Sequence, residues 1–546
     1  MKALSAEDRD WWRHAIGYEI YLRSFLDTNG DGFGDLAGIT AKLDYLKWVG
    51  VDVLWITPHY PTPDHDHGYD VADYLAVDPR VGDLAAIEHL IENAHARGLR
   101  VFTDVVPNHT SNEHAWFRAA VADPTGPYRD YYLWKDPKAD GSPPNNWVQH
   151  FGGPAWTLDP GGSGQYYCHL FLPEQPDLNW TNEAVRAEFD AILRFWCDRG
   201  VDGFRIDVAA GLMKHPSFAD NPQIREVRPD DGPARIFNSF EHRYDLAQIS
   251  TVDVYRRWNK VVEPYDAVLL GELGVWDPVQ FAHFVEDGTA LHMSFALEPG
   301  LTPWKVDRLL DCVLGMAEHA GSGVAWEITN HDQHRAPSRL GDGDPIRGRR
   351  RALALTTLLV GLDGMFFVYQ GEELGLDDGR VTQGGLQDPI SVRNPGGHHD
   401  GRDGARTPIP WTPGPRNGFT SATTPWIDGF DRTDAETVAI QEADPASHLH
   451  HYRALLRLRR SWPGLSHDPL LALNRERADA THQVVTVLRA NTLVVANLGL
   501  DEAEVVVPGA AWIVAFQSWP LHAPTGQAAV RTVPAETTVV LVRTAD

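Results

Sequence analysis

Three acidic residues stand where short apolar runs stop. Asp207 closes Val201-Asp202-Gly203-Phe204-Arg205-Ile206-Asp207, Glu272 closes Val268-Leu269-Leu270-Gly271-Glu272, and Asp332 ends Asn330-His331-Asp332. One acid at a strand end is an ordinary loop-facing or capping residue. Three of them in distinctive local sequences suit the cleavage of a glycosidic bond. One carboxylate attacks the sugar carbon, a second gives and then takes a proton, and a third stabilises or orients; a retaining pair needs its two carboxyls about 5–5.5 Å apart. Arg205 lies two residues before Asp207, so on a strand both side chains share a face. A neighbouring guanidinium keeps a carboxylate ionised, as a nucleophile requires.

Residues so distant in sequence meet only if their strands converge. From about residue 15 to 370, apolar runs alternate with helix-like segments. The candidate strands are Ile16–Leu22, Val51–Ile56, Leu99–Val106, Val201–Ile206, Ala267–Glu272, Leu291–Leu297, Val324–Ile328 and Met365–Tyr369. Near-continuous apolar runs fit parallel strands buried on both faces, and Leu84–Arg97 and Glu183–Arg199 carry helical periodicity. A doubly wound sheet fits this alternation too, but eight strands favour a (β/α)8 barrel (an α/β fold), whose sites form at the C-terminal ends of the strands. Residues 110–178 are too long for an ordinary βα loop and read as a small inserted domain after the third strand. Residues 374–432 are a loop-rich insertion after the eighth strand. The barrel then takes 1–109 and 179–465, with a helix at 446–461 bearing Leu449, Tyr452, Leu455 and Leu456 on one face. Spaced runs at Val484–Leu488, Leu493–Ala496, Val505–Val507 and Val539–Val542 give 466–546 as a C-terminal antiparallel β-sandwich.

Composition narrows the function classes. The chain has 546 residues, a formal net charge of −27 and 43% hydrophobic residues. Affinity for nucleic acid rests on Lys and Arg, so this balance argues against a nucleic-acid or anionic-membrane partner. Cys168, Cys197 and Cys312 are odd in number and widely spaced, which speaks against a disulfide framework or a Cys-ligated zinc. The N-terminus resembles no signal peptide, and the longest apolar run, Ala352–Leu362, is shorter than the ~20 residues a bilayer span needs. The expectation is a reduced, cytoplasmic protein that acts on a small oligosaccharide or glucoside without membrane or nucleic-acid partner; nothing here sets an oligomeric state.

Asp104-Val105-Val106-Pro107-Asn108-His109, Gly203-Phe204-Arg205-Ile206-Asp207, Gly271-Glu272 and Asn330-His331-Asp332 resemble, in order, the four conserved regions of glycoside hydrolase family 13, the α-amylase superfamily. Gln175-Pro176-Asp177-Leu178-Asn179 resembles the motif of its oligo-1,6-glucosidase and α-glucosidase branch. The resemblance implies Asp207 as nucleophile, Glu272 as acid and then base, and Asp332 as holder of the sugar hydroxyls. Arg205 would orient Asp207, His109 and His331 would hydrogen-bond the −1 glucose, and Asp104 would brace that subsite. Asp66-His67-Gly68-Tyr69-Asp70 and Gly401–Pro408 resemble exo-acting members, in which Asp66 and Arg406 would grip the far hydroxyls and Tyr69 would stack under the ring. A charged pair closing the pocket blocks further sugar units.

The implied activity is therefore a retaining exo-α-glucosidase; a glucosyltransferase or sucrose/trehalose-type isomerase would use the same covalent intermediate, and a non-catalytic barrel relative would lack the carboxylates. Val208 and the segment to about Asp253 would shape the leaving-group side, while Met293–Leu297 departs from the commoner asparagine-containing strand. Two further clusters carry metal-ligating residue types. Asp64-His65-Asp66-His67 has spacing possible for zinc but lacks a third ligand group nearby, and His398-His399-Asp400 reads as a solvated loop. Asp27-Thr28-Asn29-Gly30-Asp31-Gly32-Phe33-Gly34-Asp35 partly matches an EF-hand loop without its distal Glu, and resembles the cation loop of the family's α-glucosidases. Asp27, Asn29, Asp31, Asp35 and the Phe33 carbonyl would hold a structural Ca²⁺ or Mg²⁺. No organic cofactor is expected.

Overall fold

The computed structural model describes residues 10–228, 230–393, 401–461, 470–477, 483–507, 512–522, 525–526 and 532–543. His398-His399-Asp400 lies outside them. Eight parallel strands close a barrel: β1 (Ile16–Ile20), β2 (Val53–Ile56), β3 (Arg100–Val105), β4 (Gly203–Ile206), β5 (Val268–Leu273), β6 (Met293–Ala296), β7 (Val324–Trp326) and β8 (Met365–Tyr369). Each overlaps one expected run. Every strand pairs with its neighbours in sequence, and β1 closes the ring on β8 through Ile16↔Phe366 to Glu19↔Tyr369.

Alternation along the strands sorts side chains into a wall, a floor and a polar top. Val53, Trp55, Phe102, Val268, Leu270, Met293, Phe295, Ala325, Met365 and Phe367 fill the interior floor. One inward position further along, the barrel strands and the residue just past β7 carry Glu19 after Gly17, Asp104 after Phe102, Arg205 after Gly203, Glu272 after Leu270, and Glu327 after Ala325. Gly17 and Gly203 leave room for the floor: a Cβ would lie 2.3 Å from the Phe367 ring and 2.4 Å from that of Phe102.

The outer layer is helical. Leu84–Ala96 starts on Asp83, whose side chain accepts the Ala86 N–H at 2.8 Å, and buries Ile87, Leu90, Ile91 and Ala94. Glu183–Cys197 starts on Asn182 and buries Val185, Phe189, Ile192, Leu193 and Trp196. Capping fixes where each helix begins, and the apolar stripe fixes which side meets the barrel. No helix among the described residues is long and apolar enough to cross a membrane.

Between β3 and β4, residues 110–178 carry the helix Ala115–Ala122 and a three-stranded sheet of Trp134–Lys135, Tyr166–Cys168 and Trp156–Leu158. This unit is joined to the segment after β4: Asn145 Nδ2 donates to the Phe218 carbonyl at 3.0 Å and Trp147 Nε1 to that of Ala219 at 2.9 Å. Beyond β8 the chain runs through short turns and the helix Pro389–Arg393. The helix His448–Ser461 buries Leu449, Tyr452, Leu455 and Leu456.

The C-terminal part is a five-stranded antiparallel sheet ordered Ala472–Arg477, Gln483–Leu488, Thr492–Asn497, Thr537–Arg543, Trp512–Gln517. Val485, Val487, Val494, Ala496 and Val540 join the main core, while Val484, Leu493, Val495, Val539 and Leu541 face a two-stranded ribbon. Val505-Val506-Val507 is not the expected strand. Among the described residues the ribbon pairs Ala503–Glu504 with Thr532–Val533, and Val506 beyond it is 93% exposed.

Candidate active site

Arg205 organises the barrel mouth. Its Nη1 donates to Asp207 Oδ1 at 2.6 Å and to Asp104 Oδ1 at 2.9 Å, while Nη2 lies 2.9 Å from Glu272 Oε2. One guanidinium on β4 thus gathers carboxylates from β3, β5 and its own strand end. Asp104 is fixed further at Oδ2, which accepts Trp55 Nε1 at 3.0 Å and the Tyr69 hydroxyl at 3.2 Å. Glu272 is aimed by backbone: the Val208 N–H donates to Oε2 at 3.1 Å, from a left-handed conformation with φ of 45°. A β-branched residue rarely adopts such a φ, and here the strain places a donor against the acid.

Burial raises the Asp207 pKa and the charges of Glu272 and Asp104 add to it, whereas Arg205 opposes the rise. Close carboxyls disfavour each other's charged forms, and Arg205 is the cation that offsets this at Asp207. Asp104 is pushed up to about 6, chiefly by burial, against Arg205 and the Trp55 hydrogen bond.

Asp332 forms the opposite wall. Its Oδ1 accepts Arg406 Nη2 at 2.6 Å and Arg402 Nη1 at 2.9 Å, and its Oδ2 lies 3.4 Å from His331 Nε2. Burial pushes Asp332 up, but the charge of His331 and of the two guanidiniums outweighs it and leaves the carboxyl well below its usual range. His331 is itself driven down to about 3, mainly by burial, so near neutrality the arginines are the operative cations. Asp66 is pushed up to about 6 by burial, opposed by Arg402 and Arg406.

The expected pairing of Asp66 with Arg406 is not the one found. Arg406 is 1% exposed and turned into the fold, with Nε on the His331 carbonyl at 2.8 Å and Nη1 2.9 Å from His67 Nδ1. The guanidinium that meets Asp66, at 3.2 Å, is that of Arg402, which is clamped in turn by Asp388 at 2.9 Å on both Nε and Nη2. Arg402 lies in the segment already singled out, but two arginines four residues apart do not declare which one faces the pocket. Tyr69 stacks on the His331 ring, 5.4 Å away and 6° from parallel. His109 Nε2 lies 3.1 Å from the Tyr69 carbonyl, and burial lowers its pKa to about 4. Gln175 Nε2 reaches Asp66 Oδ2 at 3.2 Å. Asp66, Tyr69, Asp104, His109, Arg205, Asp207, Glu272, His331 and Asp332 thus come together, with Arg406 behind them through its contact with Asp332; Arg402, Asp388 and Gln175 complete the group.

The metal candidates separate. Asp64 binds Arg23 at 2.6 Å and Arg80 at 3.0 Å rather than a zinc. No cluster of three His, Cys, Asp or Glu side chains among the described residues is arranged to hold a metal. In the Asp27 loop, Asp27 accepts the Gly30 and Gly32 N–H groups at 2.7 and 2.9 Å, Asn29 accepts Asp31 N–H at 2.9 Å, and Asp31 accepts Phe33 N–H at 2.9 Å. Asp35 accepts the Thr28 N–H at 2.8 Å and caps the following helix at Gly38 N.

A guanidinium-bridged pair of carboxylates at the C-terminal ends of barrel strands fits the site of a glycoside hydrolase. The sequence profile of the alpha-amylase catalytic domain matches residues 19–468, and the chain belongs to that family, glycoside hydrolase family 13. A probable alpha-glucosidase of Rhizobium meliloti is 41% identical over 475 residues, covering 85% of each chain. An oligo-1,6-glucosidase of Heyndrickxia coagulans is 37% identical over 490 residues, covering 83% of this chain and 86% of the relative. Among solved structures, an alpha-glucosyl transfer enzyme superposes with a TM-score of 0.89 at 37% identity, covering 98% of this chain and 99% of the other.

Proposed function

We propose that this glycoside hydrolase is a retaining, exo-acting α-glucosidase that releases α-glucose from the non-reducing end of short α-glucosides. The observation that carries the reading is the pocket's two ends. Arg205 bridges Asp207 and Glu272 at one end, and Arg402 spans Asp66 and Asp332 at the other. A bridge by one guanidinium favours the closer carboxyl spacing of a retaining pair, about 5–5.5 Å. Asp207 attacks the anomeric carbon while Glu272 protonates the leaving oxygen; Glu272 then takes a proton from water, which releases the glucose. Asp332, His331, His109, Asp66 and Arg402 hold the glucose hydroxyls, and the charged Arg402 bridge closes the far end against a further sugar in this reading. Time-resolved proton NMR with maltose, isomaltose, trehalose and sucrose tests this: α-glucose appears first from at least one of them. β-Glucose first, or oligosaccharide products from internal cleavage of longer glucans, overturns it. The likeness to an alpha-glucosyl transfer enzyme favours one second reading, in which new glycosidic signals grow in place of free glucose.

The same reading gives the Asp27 loop a structural Ca²⁺ or Mg²⁺. Asp27, Asp31 and Asp35 lie within nine residues, and no Lys, Arg or His among the described residues forms an ion pair with any of them. Hard cations take such carboxylate, amide and carbonyl oxygens. A chelator then lowers the melting temperature and added Ca²⁺ or Mg²⁺ restores it; an unchanged melt removes the cation. Buried free thiols at Cys168 and Cys197 support a reducing, cytoplasmic setting.

A further inference from the structure

Glu19 has no part in the chemistry described so far, yet it sits at the polar top of the barrel. It is 1% exposed, its Oε1 lies 2.5 Å from His331 Nδ1 and also faces the His331 N–H at 3.4 Å, and its Oε2 has no hydrogen-bond partner. The His331 ring is held between Tyr21, at 5.5 Å and 15°, and Tyr69, at 5.4 Å and 6°. Two stacked phenols leave the imidazole little freedom to tilt.

The proton positions follow from what each ring nitrogen faces. His331 Nε2 lies 3.4 Å from Asp332 Oδ2, a carboxylate held ionised by Arg402 and Arg406. A lone pair aimed at that carboxylate would be repelled, so Nε2 carries hydrogen. A neutral imidazole has a single N–H, which leaves a lone pair on Nδ1, and 2.5 Å away from it is a carboxyl oxygen. A proton must lie between them.

We propose, within the α-glucosidase reading above, that Glu19 is a positioning residue that holds this proton against His331 Nδ1 and so presents Nε2–H to the bound glucose. The proton is the carboxyl's own, shared along Oε1–H···Nδ1, and no net transfer is required during turnover. The groups facing Glu19 support a retained proton. Glu327 just past the end of β7 and Asp332 beyond it repel a second negative charge, Tyr369 on β8 does the same if ionised, and Arg205 on β4 is the cation that opposes them. Burial acts in the same direction as the two acids and raises the Glu19 pKa well above the carboxylate range. If Glu19 lost its proton, the remaining hydrogen would move to Nδ1, and Nε2 would offer a lone pair where a sugar hydroxyl and Asp332 both need a donor.

The test compares Glu19→Gln, which keeps a donor to Nδ1, with Glu19→Met, which keeps the volume and removes the donor. Wild-type hydrolysis of the best glucoside is measured first, so that a failure of the α-glucosidase reading appears there and not in the variants. The expected result is kcat/KM within about threefold of wild type for the Gln variant and a loss of about 100-fold or more for the Met variant. That loss is the order reported for removing one preorganised donor. A Met variant as active as wild type, or a Gln variant as damaged as the Met variant, overturns the proposal. Should the Met variant fail to fold, ¹⁵N-histidine NMR of the wild type decides, with the His331 signal identified by its absence in His331→Gln. A protonated Nε2 with a hydrogen-bonded, unprotonated or proton-sharing Nδ1 is expected, and an unprotonated Nε2 overturns the proposal.

Discussion

Replacing Arg402 by Gln removes the cation that spans the far end of the pocket. Arg402 touches Asp332 at 2.9 Å and Asp66 at 3.2 Å, and its side chain is 14% exposed. Hydrogen bonds to charged groups contribute about 1.5–3 kcal/mol each. Two such contacts give an upper figure of about 6 kcal/mol, but Arg406 remains on Asp332 at 2.6 Å and offsets part of the loss. We therefore expect about 3 kcal/mol at the transition state, or roughly 10²-fold in kcat/KM. The pH profile should move as well. Burial already pushes Asp66 up to about 6, and Arg402 is the first of the charges holding it down. Without that charge Asp66 and Asp332 ionise at higher pH, so the acid limb of kcat/KM shifts upward. The assay is hydrolysis of an aryl α-glucoside from pH 4.5 to 9, with the melting temperature as a control for folding. A loss below threefold with an unmoved acid limb would refute the assignment of Arg402 to the pocket.

Arg406→Gln should differ in kind. Arg406 is inward and bonded to the His331 carbonyl, so its loss lowers the melting temperature by several degrees as well as activity; activity lost with an unchanged melt contradicts the buried role. Glu327→Gln removes an acid whose pKa is raised, mainly by burial, from 4.5 to about 8. The native state then binds the extra proton between those values, so the group's penalty grows as pH rises from 4.5 and is complete above 8. The variant should gain stability that is absent near pH 4 and largest above pH 8, at most about 5 kcal/mol; a gain independent of pH would exclude the ionisation. Glu272→Ala with azide and an activated aryl glucoside should yield α-glucosyl azide, and Asp207→Gly with azide the β anomer, both identified by proton NMR. The same anomer from both variants means that the nucleophile is misassigned.

Which strands form, and which way their residues face, is legible along the chain because both depend on neighbours in sequence. Period-two alternation alone puts Asp104 above Phe102 and Arg205 above Gly203, and runs such as Met365-Phe366-Phe367-Val368-Tyr369 are apolar on both faces as buried parallel strands must be. The three carboxylates and the helix caps at Asp83 and Asn182 belong to the same local class. The all-β tail was readable as well, except that Val505–Val507, strand-like in composition, forms no strand among the described residues.

The choice of partner for each charge lay beyond the sequence, because a charge settles on whichever opposite group the closed barrel brings nearest. Arg402 and Arg406 stand in one short segment with the same chemistry. Only the path of that segment over the barrel mouth aims the first at Asp66 and folds the second under His331. Glu19 and His331 are 312 positions apart, and the closure of β1 against β8, beside β7, brings the carboxyl beneath the imidazole. Distance and burial set the protonation states of that pair, of Asp66 and of Glu327, and both quantities exist only in the folded chain.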